Sequence, residues 1–120
     1  MSKENIVKKK SFKFSVRIVK LYKYLIATHK EYVIPKQLLR CGTSVGAQIV
    51  ESENAQSRAD FIHKLSISQK EIDETMYWLD LLKETDYLSE TEHASIYENA
   101  NEIKKLLTAI LKKLKSNSKD

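Results

Sequence analysis

The sequence predicts an all-α protein, an antiparallel up-down-up-down four-helix bundle, and three observations predict it. The 120 residues include only two glycines and one proline, whereas sheets and barrels need frequent turn signals. Apolar residues recur at spacings of three and four along four long stretches, the period of one helix face. Proline or groups of Ser, Asp and Glu separate those stretches and mark helix starts. At 42% hydrophobic and 31% charged the chain is too apolar to remain unfolded, and its length provides one core rather than two.

The first helix is expected from about Ser11 to Glu31. Phe14, Ile18, Leu21, Tyr22, Leu25, Ile26 and His29 form its apolar stripe. With about 100° of turn per residue, Lys9, Lys13, Arg17, Lys20 and Lys23 gather on the opposite side. The second helix is expected from Pro35, since proline suits a first turn, to about Asn54. Its inner face reads Leu38, Gly42, Val45 and Ile49, with Gly46 beside them. A glycine within a helix costs about 1 kcal/mol relative to alanine. The pair therefore points to a neighbouring helix lying close against bare backbone.

The third helix opens at Ser57-Arg58-Ala59-Asp60, a capping box with Asp in place of Glu. It continues as Phe61, Leu65, Ser68, Ile72, Thr75, Leu79 and Leu82, a 4-3 repeat suited to left-handed bundle packing. Lys83 and Thr85-Asp86 mark its end. The fourth opens at Ser89-Glu90-Thr91-Glu92, a full capping box, and repeats Ile96, Ala100, Ile103, Leu107, Ile110 and Leu114. Domain organisation is read as a basic N-terminal tail over residues 1–10, the bundle over 11–115 and a C-terminal tail over 116–120.

Charge is unevenly placed. Residues 1–40 hold eleven Lys/Arg against two acids, residues 41–103 hold four against thirteen, and residues 104–120 hold six against one. Basic and acidic surfaces are thus expected to face each other within or between subunits, leaving a basic surplus able to meet phosphate. The stripe of Lys9, Lys13, Arg17, Lys20 and Lys23 is the feature with a functional claim: several cations on one face give sequence-independent, salt-sensitive binding to RNA or DNA, the alternative being a solvated helix face or a partner for the acidic third helix. Tyr24 beside it offers a ring for a base. The third helix carries a second apolar seam, Ile67, Trp78 and Leu81 with Glu71 and Glu74, well away from the core repeat. Apolar surface of this kind marks an interaction site. It is read as a subunit interface whose acids would meet the basic first helix of a neighbour; the alternative is that the fourth or first helix wraps further round and covers it.

Catalytic and cofactor chemistry are not expected. His29, His63 and His93 are scattered, with His29 partly buried at the bundle end and His63 at the surface. Paired cysteines, His-Glu-x-x-His and the paired Glu-x-x-His motifs of two-metal bundles are absent from the sequence. Cys41 reads as a small packing residue, and as the single cysteine it fits a reduced, cytoplasmic setting. No stretch approaches the roughly 20 apolar residues of a membrane span, and the N-terminus lacks the apolar core of a secretory signal.

The stretch Lys36-Gln37-Leu38-Leu39-Arg40-Cys41-Gly42-Thr43-Ser44-Val45-Gly46-Ala47-Gln48-Ile49-Val50-Glu51 resembles the signature of the four helix bundle protein family, also called the 23S rRNA intervening-sequence protein family. Ser57 to Leu82 is similar to the same family's third helix, and the resemblance spans roughly Ser11 to Leu114. The chain departs from the family pattern at Gln48, where Asn is usual, and at Ser52 and Asn54-Ala55, where the family often has Gly and Gly-Arg. No role tied to those glycines or that Arg carries over. The resemblance implies a four-helix bundle, often assembled as a ring-like homopentamer, and no catalytic residues. Members were named for reading frames in insertions within large-subunit rRNA genes. A relative, the accessory protein of diversity-generating retroelements, contacts nucleic acid and a reverse transcriptase through basic surface. The resulting expectation is a non-enzymatic oligomeric accessory protein binding RNA or DNA. The alternative is a homo-oligomeric scaffold or protein–protein adaptor that binds no nucleic acid.

Overall fold

The computed structural model describes residues 2–117, which form four helices: α1 Lys3–His29, α2 Val33–Ser52, α3 Arg58–Glu84 and α4 Glu90–Asn117. Each packs on its neighbour in sequence, and α1 closes the ring against α4. Contacts between helices run in opposite directions along each pair. Ser11 and Ile18 meet Gly46 and Gly42, Lys64 and Arg40 meet Glu51 and Glu71, and Asp73 and Asp80 meet Lys104 and His93. Lys10 and Arg17 meet Glu102 and Asn99. The direction alternates at every step, so the bundle is up-down-up-down, 52 Å long and 23 Å across.

The helix ends follow from local chemistry. The Ser89 hydroxyl accepts from the Glu92 amide at 3.1 Å while the Glu92 carboxylate accepts from the Ser89 amide at 2.9 Å, a complete capping box. At α3 the Ser57 hydroxyl accepts from the Asp60 amide, but the shorter Asp60 carboxylate takes the Gln56 amide instead of that of Ser57. Past the end of α3, Tyr87 N–H donates to the Leu82 carbonyl and Asp86 N–H to that of Lys83, with Asp86 left-handed at φ 67°. That is a Schellman ending, which satisfies carbonyls the helix leaves open. Pro35 lies two residues inside α2 because the Glu31 carboxylate caps the start, accepting from the Val33 and Ile34 amides.

One boundary differs from expectation. The segment read as a basic tail is the first two turns of α1. Ser2 caps it by accepting from the Asn5 amide, and Val7 is fully buried. The inward stripe of α1 therefore begins at Val7 and Ser11, ahead of Phe14, and three consecutive lysines obscured it. Of the expected C-terminal tail, Ser116 and Asn117 continue α4, and residues 118–120 lie outside those described, as does Met1. His29 is exposed at the bundle end rather than partly buried, its ring edge-on to Tyr87 at 5.0 Å.

Phe14, Ile18, Leu25, Leu38, Leu65, Ile72, Leu79, Ile103 and Leu107 are all within 1–2% of complete burial and form one continuous core. The two polar members of the α3 repeat are satisfied there: Ser68 donates to the Val45 carbonyl across the α2–α3 contact, and Thr75 to the Glu71 carbonyl. Both glycines of α2 face α1. A methyl added at Gly42 would stand 2.9 Å from both Cγ1 and Cγ2 of Ile18, atoms held close to the α1 backbone. At Gly46 the nearest atoms would be those of Ser11 and Ser15 at 3.4 Å, an ordinary contact.

Two outcomes follow. Gly42→Ala overpacks Ile18 and lowers stability by about 1–2 kcal/mol, since the clash outweighs the helix-propensity gain. Gly46→Ala keeps that gain and raises stability by up to about 1 kcal/mol. Urea unfolding of the two variants checks the opposite signs. Cys41 is fully buried, and burial pushes its thiol up to about 11. At pH 8 that cuts the thiolate population about a hundredfold relative to an ordinary thiol. Iodoacetamide should therefore label the native chain slowly and the urea-unfolded chain rapidly, a difference readable by mass spectrometry.

Candidate nucleic-acid interface

The core fixes which side of α1 meets solvent. With Phe14, Ile18 and Leu25 turned inward, the 3.6-residue period places residues 9, 13, 16, 20 and 23 on the outer face, and all five side chains are exposed. Lys9, Lys13, Lys20 and Lys23 form no ion pair with any described residue. Their neighbours do. Lys8 pairs with Glu53 of the α2–α3 connection at 2.8 Å, and Lys10 with Glu102 of α4 at 2.8 Å. The difference is positional: residues 8 and 10 lie at the edges of α1, within reach of acids on flanking elements, whereas the outer face has no facing helix.

Arg17 stands apart from the other four. Its guanidinium turns to α4, bonding Asn99 Oδ1 at 2.6 Å, the Ser95 carbonyl at 3.2 Å and the Ser95 hydroxyl at 3.1 Å. A fork with several donors suits such a multidentate grip. Arg17 thereby ties α1 to α4 at the margin of the basic face.

Apolar side chains that the sequence reading did not single out stand among these lysines. Phe12 is 70% exposed, and Val16 and Val50 are exposed beside it. Phe12, Gly46, Ala47 and Val50 line a groove of about 740 Å³ between α1 and α2, edged by Lys9 and Lys13. Tyr24, 45% exposed, lies farther along the face beside a second groove of about 280 Å³ that it shares with Lys20 and Arg17. The signal for Phe12 was present in the chain: it falls about 160° from Phe14 on the helix wheel and cannot share its core face.

The α3 seam has a different setting from the one expected. Ile67, Glu71, Glu74, Trp78 and Leu81 do share a face and are all half-buried. Arg40 of the same chain's α2 bonds both acids, reaching Glu71 Oε2 at 3.3 Å and also Glu74 Oε2. Trp78 donates to Glu74 Oε2 at 2.9 Å and leans on the core. An internal cation, Arg40, therefore serves both acids within the single chain. Tyr77, 59% exposed, packs edge-on against Trp78 and carries the free apolar surface here.

The sequence holds one Glu-x-x-His, Glu90 to His93, in which Glu90 is exposed in the first turn of α4. His93 is buried, with Nε2 2.7 Å from Asp80 Oδ1 and its ring stacked on Tyr97. No serine, threonine or cysteine side chain among the described residues hydrogen-bonds that ring, so the Asp–His pair lacks a nucleophile to activate. Among the described residues no group of three or more His, Cys, Asp or Glu could hold a metal ion, and none of the helices is long and apolar enough to cross a membrane.

Comparison with known proteins agrees with this architecture. No curated protein matches the chain. A crystal structure of a protein of unknown function from the S23 ribosomal protein family, from Bacteroides thetaiotaomicron, is 55% identical, with a TM-score of 0.91 over 92% of this chain and 99% of that one. The model of the 23S rRNA-intervening sequence protein family matches residues 3–109. A match over nearly all of the bundle, joined to a close relative of the same fold, places this chain in the 23S rRNA-intervening sequence protein family.

Proposed function

We propose that this protein is a non-enzymatic, oligomeric accessory protein that binds RNA or DNA through the outer face of α1, in a reducing, cytoplasmic compartment. One observation carries the proposal: Lys9, Lys13, Lys20 and Lys23 share a face and lack acid partners among the described residues, while Lys8, Lys10 and Arg17 beside them are engaged. Four unneutralised ammonium groups along one helix repel each other. They gain most from a linear polyanion, whose condensed counterions are released on binding. Arg17 supports the site by holding α1 against α4.

Copies of the chain associate through the α3 seam of Ile67, Glu71, Glu74, Trp78 and Leu81, with Tyr77 as its exposed ring. With both acids taken by Arg40, this contact is apolar at its centre rather than an ion-pair match. A homo-oligomeric scaffold or protein adaptor remains the second reading, favoured by that same exposed Tyr77. Co-purification after nuclease treatment separates the two, since only a protein partner survives it.

Binding measured by gel shift should weaken with salt, with a log–log slope of about −3 to −4 for four phosphate contacts. Lys13→Glu with Lys20→Glu should reduce the slope by about two, and absence of any low-salt shift would refute the proposal. Light scattering should return a mass several times 13.9 kDa, lowered by Tyr77→Glu. A monomer at micromolar concentration overturns the association.

A further inference from the structure

The outer face of α1 is not only basic. Phe12 at 70% exposure and Tyr24 at 45% flank its lysines, Phe12 at the α2 margin toward one end and Tyr24 at the α4 margin toward the other. Twelve residues of helix separate them by about 18 Å along the axis and about 120° around it, a span that a few nucleotides of extended strand crossing the face can cover. Each ring borders a groove, about 740 Å³ beside Phe12 and about 280 Å³ beside Tyr24. Beyond Tyr24 the aromatic path continues through His29, 6.0 Å from Tyr24 and 5.0 Å from Tyr87.

We infer that the ligand of this face is a single-stranded nucleic acid, its phosphates on Lys9, Lys13, Lys20 and Lys23 and two of its bases stacked on Phe12 and Tyr24. The inference rests on the nucleic-acid reading above and narrows it. A band of cations flanked by two exposed rings matches what an unpaired strand offers, a charged backbone and free base faces. A duplex hides its base faces within its own stack. Against a duplex, Phe12 and Tyr24 would meet only sugar and phosphate, which gain nothing from an aromatic surface. A second copy presenting the same face is disfavoured as the occupant, because lysines would oppose lysines.

Fluorescence anisotropy at low salt, using a labelled thymidine strand of about ten nucleotides and a duplex of equal length, tests the assignment. The strand should bind about tenfold tighter or more than the duplex. Phe12→Ala and Tyr24→Ala should each weaken strand binding by about tenfold and leave duplex binding unchanged, while Phe12→Trp retains it. Both positions are exposed, and unchanged helical circular dichroism and melting temperature confirm folded variants. Equal or tighter duplex binding, or alanine variants without effect on the strand, overturns the single-strand assignment and leaves phosphate binding standing. Failure of both probes to bind sinks the nucleic-acid reading as well. If Phe12→Ala lowers the oligomer mass but not strand affinity, the ring belongs to a contact between copies and the assignment is wrong.

Discussion

Ile18 of α1 rests against bare backbone at Gly42, in space where any other residue would place a side chain. Helices in bundles are normally kept apart by the side chains between them. Removing one at Gly42 lets α1 settle against α2 with its roll about its own axis fixed. A β-branched residue such as Ile18 has few rotamers with which to accommodate a slip. Once that roll is set, Phe14 and Leu25 fall into the core, and the outer face must carry Lys9, Lys13, Lys20 and Lys23. The candidate interface is thus a consequence of how one helix seats on another. No loop takes part in building it.

The ionic interactions divide along the same geometry. Lys10 with Glu102, Lys64 with Glu51, Lys104 with Asp73 and Arg40 with Glu71 and Glu74 all join adjacent helices across their seams. Each such surface pair contributes under about 1 kcal/mol, so their role is to favour one register over its neighbours. Arg58 adds a related contact, donating to the Leu114 carbonyl near the negative end of α4. These contacts use acids of α2, α3 and α4 and the cations at the helix edges. The cations of the outer α1 face lie beyond their reach, and the positive potential collects there.

The same geometry places the groups with chemical potential along the seams. Cys41 is sealed between α2 and α3, where burial keeps its thiol protonated. His93 and Asp80 bind α3 to α4 with no nucleophile bonded to the ring. Trp78, which the sequence alone offers as free surface, spends its indole N–H on Glu74. In a bundle this narrow, a polar side chain near a seam almost always finds a partner on the next helix, because adjacent helix surfaces stand within one side-chain length.

The chain by itself determined the number of helices, their order, most of their starts and the inner stripe of each. These depend on local capping chemistry and on the helical period, and both can be read along a single strand of residues: Ser57 and Ser89 cap where they stand, and Phe14, Ile18 and Leu25 cannot help sharing a face. The lysine stripe was legible for the same reason. Only the tertiary structure decided which cations remain unpaired among the described residues, that Arg17 is drawn to Asn99 while Lys13 is not, and that Arg40 of α2 serves Glu71 and Glu74. It also decided that the three-lysine run after Val7 is helix and that Phe12 stands in solvent. The physical reason is that pairing and exposure depend on what lies across a seam, set by the roll and register of packed helices, and no pattern within one helix specifies what faces it.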